Sequence, residues 1–245
     1  MSSAEDSPLP SPAGSPLAGR VVAISAGRRS VLHYGKREVV TAFVKVALPG
    51  RVRVSRLGID GDDHVYKDHG GPDMALLVYS HEHYAHWCAL GLDLPEHAAM
   101  GENLTVEGLV ETDVHIGDEF EVGSAVVQIA QPRSPCSKIA ARYGRKDLPG
   151  LVQETGFTGY LLRVLVEGSI GAGDEMRLVA RQNHGVTVAQ AGRVANVERN
   201  DLSGARRVLA VDALGASTRR MLVARVAAAS QLGLDVDRLF MPDND

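Results

Sequence analysis

Only two cysteines, Cys88 and Cys136, occur in the 245 residues. They stand too far apart for a CxxC couple or a zinc ribbon, and two thiols cannot build a disulfide framework. Reduced thiols fit a cytoplasmic setting, which is the expected location. Aromatic residues make up only 4% of the chain, which argues against a thick aromatic core. No run of ~18 apolar residues is present, so no membrane-spanning helix is expected. Neither sign of charge dominates: 26 Lys plus Arg stand against 30 Asp plus Glu, and that balance gives no footprint for nucleic acid. A GxGxxG dinucleotide fingerprint and the CxxxxCxxC spacing of an iron–sulfur protein are both missing. The first 19 residues lack the basic and apolar regions of a signal peptide.

What is present reads as a globular chain with many turns. It is 44% apolar and carries 26 glycines. Residues 1–19 hold four Pro, five Ser and two Gly, and read as a disordered tail. Short β-branched or alternating stretches follow at Val21–Ala26, Glu38–Leu48, Arg51–Ser55 and Ala75–Tyr79. Ser80 is placed to cap a helix over His81–Leu90. Asp118–Val122 and Ala125–Gln131 read as a hairpin, and Leu161–Val166 and Glu175–Val179 as further strands. Such spacing predicts a mainly β fold closed into a barrel, with few helices. After Asn183 the chain turns rich in Ala, Val, Leu and Arg, and three helices are expected over 187–197, 203–211 and 216–231. Thr187 and Ser217 are the candidate caps. The expected organisation is a tail at 1–19, a barrel at 20–183, a helical appendage at 184–234 and a short tail at 235–245. With near charge balance, the appendage reads as packed helices in preference to a DNA reader.

Four local features carry chemistry. His81, His83 and His86 resemble a metal cluster, but Ala85 stands where a HExxH motif needs its second His. A polar helix face is the better reading there, with Trp87 and Cys88 turned to the core. Asp60-Gly61-Asp62-Asp63-His64 lacks the alternation and the final Glu of a calcium loop. In His69-Gly70-Gly71-Pro72-Asp73, two glycines beside a histidine allow backbone N–H groups to line an anion-receptive concavity, or form a plain turn. Pro132-Arg133-Ser134-Pro135-Cys136 ends a strand and opens a helix over Ser137–Tyr143. The helix start and the charges of Arg133, Lys138 and Arg142 favour the thiolate of Cys136, a soft ligand for a transition metal.

Leu57–Asp62, His69–Asp73, Gly101-Glu102-Asn103-Leu104, Ile116-Gly117-Asp118, Gln131–Cys136 and Thr155-Gly156 occur in an order that resembles the MOSC domain family, and within it the YiiM-like subgroup. The domain takes its name from molybdenum cofactor sulfurases. The resemblance spans about Glu38 to Ala180 and continues at Gly185-Val186-Thr187-Val188. It implies a MOSC-type β-barrel of mostly antiparallel strands with peripheral helices and a small C-terminal three-helix segment. It also implies a pterin-bound molybdenum cofactor, with Cys136 as metal ligand and catalytic centre. Lys45, Asn103, Arg133, Gly70 and Gly71 are the positions it assigns to the cofactor, and His69 to proton delivery. Met74 stands where relatives often carry a basic residue, so one phosphate contact is missing. The implied activity is reduction of N-hydroxylated bases such as 6-hydroxylaminopurine. Electrons would come from a separate reductase, and neither nucleic acid nor membrane is an expected partner. Two alternatives are a non-catalytic carrier, holding persulfide sulfur or the cofactor on Cys136, and a regulatory module whose helical tail binds a partner.

Overall fold

A computed structural model describes residues 17–65 and 70–231. The tails expected at 1–19 and 235–245 therefore lie outside the described residues, except for 17–19, and so does His69. The strands in chain order are β1 (Ala18–Ala26), β2 (Ser30–Tyr34), β3 (Arg37–Thr41), β4 (Val46–Ala47), β5 (Arg51–Ser55), β6 (Gly58–Ile59), β7 (Leu76–Ser80), β8 (Leu104–Glu107), β9 (Glu119–Val122), β10 (Ala125–Pro132), β11 (Tyr160–Val166), β12 (Gly168–Gly171) and β13 (Glu175–Ala180). The helices are α1 (Glu82–Ala89), α2 (Ser137–Tyr143), α3 (Leu148–Thr155), α4 (Val188–Asn196), α5 (Leu202–Leu209) and α6 (Ala216–Gln231).

Seven strands close a barrel in the order β13-β9-β10-β11-β7-β8-β1, because β1 pairs back with β13. All neighbours are antiparallel except β7 and β8, whose parallel pairing requires the crossover that carries α1. Closure removes the exposed sheet edges. The interior is filled by aliphatic side chains such as Val21, Leu76, Leu104, Ile129 and Leu162, all fully buried. A second cluster packs α1 against α2 and α3 around Trp87, whose indole N–H donates to Tyr79 Oη at 2.6 Å. Val188, Ala191, Val194, Ala205, Val208 and Leu222 of the C-terminal helices belong to the same cluster as the barrel strands, so the appendage shares the barrel's core.

Several local expectations change. The strand expected over Glu38–Leu48 is broken at 42–45. Thr41 Oγ1 accepts from Phe43 N at 3.0 Å and ends β3, and the chain then crosses to pair Val46–Ala47 with β1. Lys45 consequently sits in a loop. Ser80 does not cap α1: it ends β7 and donates to Leu109 O at 2.8 Å, while His81 takes the cap position. Cys88 does not enter the core. Trp87 is buried, and the next residue, turned about 100° around the helix, is exposed. Nor do the three histidines form a polar face. His83 is buried, stacked on Phe157 at 3.9 Å, with Nε2 2.7 Å from Glu111 Oε2. Thr187 caps α4 as expected, in a capping box with Gln190, whereas Ser217 lies inside α6.

Candidate active site

The register of the barrel strands explains where the site forms. Gln131 on β10 pairs with Leu161 on β11, and Leu161 pairs with Leu77 on β7. Leu77 exchanges bonds with Asn103 just before β8: Asn103 N donates to Leu77 O at 2.8 Å, and Leu77 N to Asn103 Oδ1 at 3.1 Å. This row across one barrel end is the floor of a cavity of ≈ 480 Å³. That volume lies in the range of small-molecule and cofactor sites. Of the residues singled out in the sequence, Lys45, Gly70, Asn103, Arg133 and Cys136 all line it, although up to 91 positions separate them (136 − 45). Gly71 is not among the lining residues; it opens the 3-10 turn Pro72–Met74.

One side of the cavity is a polar hub on Asp62. Its Oδ1 accepts from Gly27 N at 2.7 Å and from Lys45 Nζ, and its Oδ2 accepts from Asn103 Nδ2 at 2.8 Å. The Lys45 and Asp62 side chains are 8% and 2% exposed, so the pair is buried. Burial lowers the Lys45 pKa below its ordinary value, against the opposing pull of Asp62, Glu102 and Asp63. The Lys45 ammonium thus already has a counter-charge. Asp62 lies in the Leu57–Asp62 block, but no spacing rule marks a carboxylate whose part is to pair a buried lysine 17 residues away.

Arg133 is different. It is 7% exposed, Nη2 donates to Met100 O at 2.8 Å, and the guanidinium lies 5.9 Å from the Phe43 ring centroid. Its Nη1 is buried without a hydrogen-bond partner, and no carboxylate pairs with it among the described residues. The loop that faces it is set by buried Glu102, which accepts from Met100 N at 2.9 Å, Thr105 Oγ1 at 3.1 Å and Tyr84 Oη. Burial and the neighbouring Glu102 charge push the Tyr84 phenol far up, so it stays a neutral donor. Gly101 in this loop has φ 80°, and a Cβ there would lie 2.7 Å from the Phe43 ring.

Cys136 is half-buried in the cavity wall, in the extended conformation immediately before α2. Lys138 joins it on the wall. Arg142, expected to add charge at the thiol, instead lines a separate depression with Asp93, Tyr143 and Arg145. The last wall comes from α6, through Ser217, Thr218 and Met221. Of these three, only Ser217 stands out in the sequence, and only as a candidate helix cap.

A MOSC domain model matches residues 65–177. Uncharacterized protein YflK of Bacillus subtilis is 38% identical over 200 residues, covering 81% of this chain and 90% of that protein. The chain belongs to the MOSC domain family. The crystal structure of YiiM from Geobacillus stearothermophilus superposes with a TM-score of 0.72 at 32% identity, over 85% of this chain and 99% of that one. A protein named Reductase from Gibberella moniliformis is 31% identical over 195 residues, which is 78% of this chain but 35% of that protein. MOSC domains are associated with molybdenum cofactor sulfurases. The MOSC segment at 65–177 contains Cys136, Arg133 and Asn103, but neither Lys45 and Asp62 before it nor the α6 wall after it.

Proposed function

We propose that this MOSC protein binds a pterin-bound molybdenum cofactor through Cys136 and reduces N-hydroxylated compounds, 6-hydroxylaminopurine among them. The observation that carries the reading is the unpartnered, buried Nη1 of Arg133 in the cavity that also holds the Cys136 thiol. A buried guanidinium with a free donor is costly unless an anion completes it. A thiol on the same wall is a soft donor suited to a transition metal. The residues present therefore fit the group. Cys136 would hold the metal and Arg133 an anionic arm such as a phosphate. Among the described residues no cluster of three or more His, Cys, Asp or Glu could hold a metal alone, so the remaining ligands would come with the cofactor.

When bound, the cofactor supplies two-electron redox chemistry. This chain's residues do the rest. Asp62 locks Lys45 and Asn103 into one rigid side of the cavity, so Lys45 serves the site's shape and charge balance rather than a phosphate. His69, adjoining Gly70, would deliver the proton that leaves with the substrate oxygen. The fungal relative named Reductase supports an oxidoreductase activity. The sequence carries no fingerprint for an electron-supplying cofactor, so a separate reductase is the proposed partner. No described helix is long and apolar enough to cross a membrane, and the reduced thiol suits the cytoplasm as the proposed location.

The test is reduction of 6-hydroxylaminopurine by protein from a cofactor-competent host, with a chemical electron donor. Amine product should form with the wild-type chain and not with Cys136→Ser. If metal-loaded protein reduces no hydroxylamine or N-hydroxy base, the reading is wrong. Cyanide-releasable sulfur on metal-free protein would point to a carrier instead.

A further inference from the structure

The C-terminal helices lie outside the matched MOSC segment, yet the start of α6 is clamped onto the barrel end that carries the cavity. Gly215 N donates to Ala130 O at 2.8 Å, so the chain just before α6 docks on β10. Thr218 N and Oγ1 both donate to Gln131 Oε1, at 3.3 and 3.2 Å. Ala216 N donates to Asp73 Oδ2 at 2.8 Å, and Asp73 Oδ1 is in turn paired with Arg163 at 2.9 Å. The helix start is thus capped by barrel side chains, and its position is fixed.

This clamp aims one face of α6 into the cavity. Ser217 and Met221 are one helical turn apart and share that face. Ser217 Oγ has no hydrogen-bond partner among the described residues. Met221 is 37% exposed, a long apolar side chain left uncovered at a cavity rim. Met74, Leu77 and Leu161 also line the cavity. The register puts Leu161 next to Gln131, and hence next to the α6 clamp, while the Asp62 hub lies at the other end of the same row. On the α6 side, Met221 and the Ser217 hydroxyl thus face the cavity beside Leu161, with the Asp62 hub at the far end of the row.

We propose that α6 is the substrate-selecting wall of this site, where Met221 packs on the face of a flat heteroaromatic ring and Ser217 hydrogen-bonds a ring nitrogen or exocyclic group. The inference rests on the reading of function above, and gives the C-terminal helices a part in the site. A thioether against a ring is a favourable contact, and Met adapts to an irregular ligand edge.

The experiment uses the cofactor-loaded protein with Met221→Ala, Met221→Leu, Ser217→Ala and, as a control away from the cavity, Val223→Ala. Adenine, the amine product of 6-hydroxylaminopurine, serves as a non-reacting ligand in calorimetry. Met221→Ala should weaken adenine binding roughly two- to tenfold, while Met221→Leu, which keeps the volume, should stay closer to wild type. Ser217→Ala should weaken it by a similar factor, and Val223→Ala should change nothing. The KM for 6-hydroxylaminopurine should rise in parallel, with the KM for free hydroxylamine and the molybdenum content unchanged. Unaltered adenine binding in both the Met221→Ala and Ser217→Ala variants overturns the wall, as does a wild-type chain that binds no adenine, or an equal rise for hydroxylamine. A wild-type chain that binds adenine through Met221 but reduces nothing leaves the wall standing and sinks the reading of function. Reduction of the purine with no effect of either substitution does the reverse.

Discussion

Asp62 ties three separate parts of the chain together through one carboxylate, from Gly27, Lys45 and Asn103. Removing either charge strands the other in a buried place. Lys45→Met and Asp62→Asn should each cost about 3–5 kcal/mol in urea unfolding, and the double variant less than their sum. Additive losses would show that the pair is not coupled. Because burial lowers the Lys45 pKa, the unfolded chain holds that proton to higher pH than the folded one. This group's contribution to stability therefore rises with pH up to its ordinary value of 10.5. Tyr143 behaves oppositely. Burial pushes its phenol from 10.0 up to about 12, while it donates to Ala99 O at 2.5 Å. Its contribution is complete below pH 10 and is lost as pH rises through about 12. Tyr143→Phe should flatten that part of the alkaline stability curve, and an unchanged slope would contradict the assignment. Arg133→Met trades function against little stability. Metal-free protein should lose about 1–2 kcal/mol, through the orphaned Met100 carbonyl, whereas cofactor loading should fall roughly tenfold or more. Equal loading would leave the spare Nη1 without a purpose.

At the scale of elements, the clamp on α6 depends on a close approach. A Cβ at Gly215 would lie 2.4 Å from Gln131 Oε1, the atom that caps Thr218. That side chain cannot move aside without releasing the helix. Gly215→Ala should lower the melting temperature by several degrees and, under the proposed function, raise the KM for 6-hydroxylaminopurine, with the barrel's circular dichroism intact. A variant that melts as wild type would mean the clamp is slack. Much of the element order was legible in the sequence. The hairpin β9–β10, the helix α2 and the strand β5 follow directly from alternation, turn residues and glycine stops. Where the reading failed, a local rule met a tertiary one. The helix α3 is not among the expected elements; its Pro149 sits in the first turn, where proline is tolerated. Glu38–Leu48 reads as a single strand, although β3 ends at Thr41, because the break depends on the Thr41 side chain and on the pairing of β4 with β1. Cys88 reads as core beside Trp87, yet neighbours in a helix face different ways and Cys88 is exposed.

At the scale of the molecule, the cavity is assembled from three stretches: the loop and hub before the matched segment, the MOSC segment itself, and α6 after it. Cys136, Arg133 and Asn103 stand in short recognisable blocks, and the barrel register brings them together at one end. Ser217 reads only as a helix cap in the sequence, and Met221 carries no motif. Their place follows from the docking of a distant helix on Gln131 and Asp73, which only the folded chain reveals. The shared core of barrel and helices makes that docking part of the fold. The central claim is that this preformed cavity holds a molybdenum cofactor through one thiol. Metal analysis of protein from a cofactor-competent host tests it most directly. The account predicts about one molybdenum per wild-type chain and almost none in Cys136→Ser of unchanged melting temperature. Equal molybdenum in both proteins, or none in either, would contradict it.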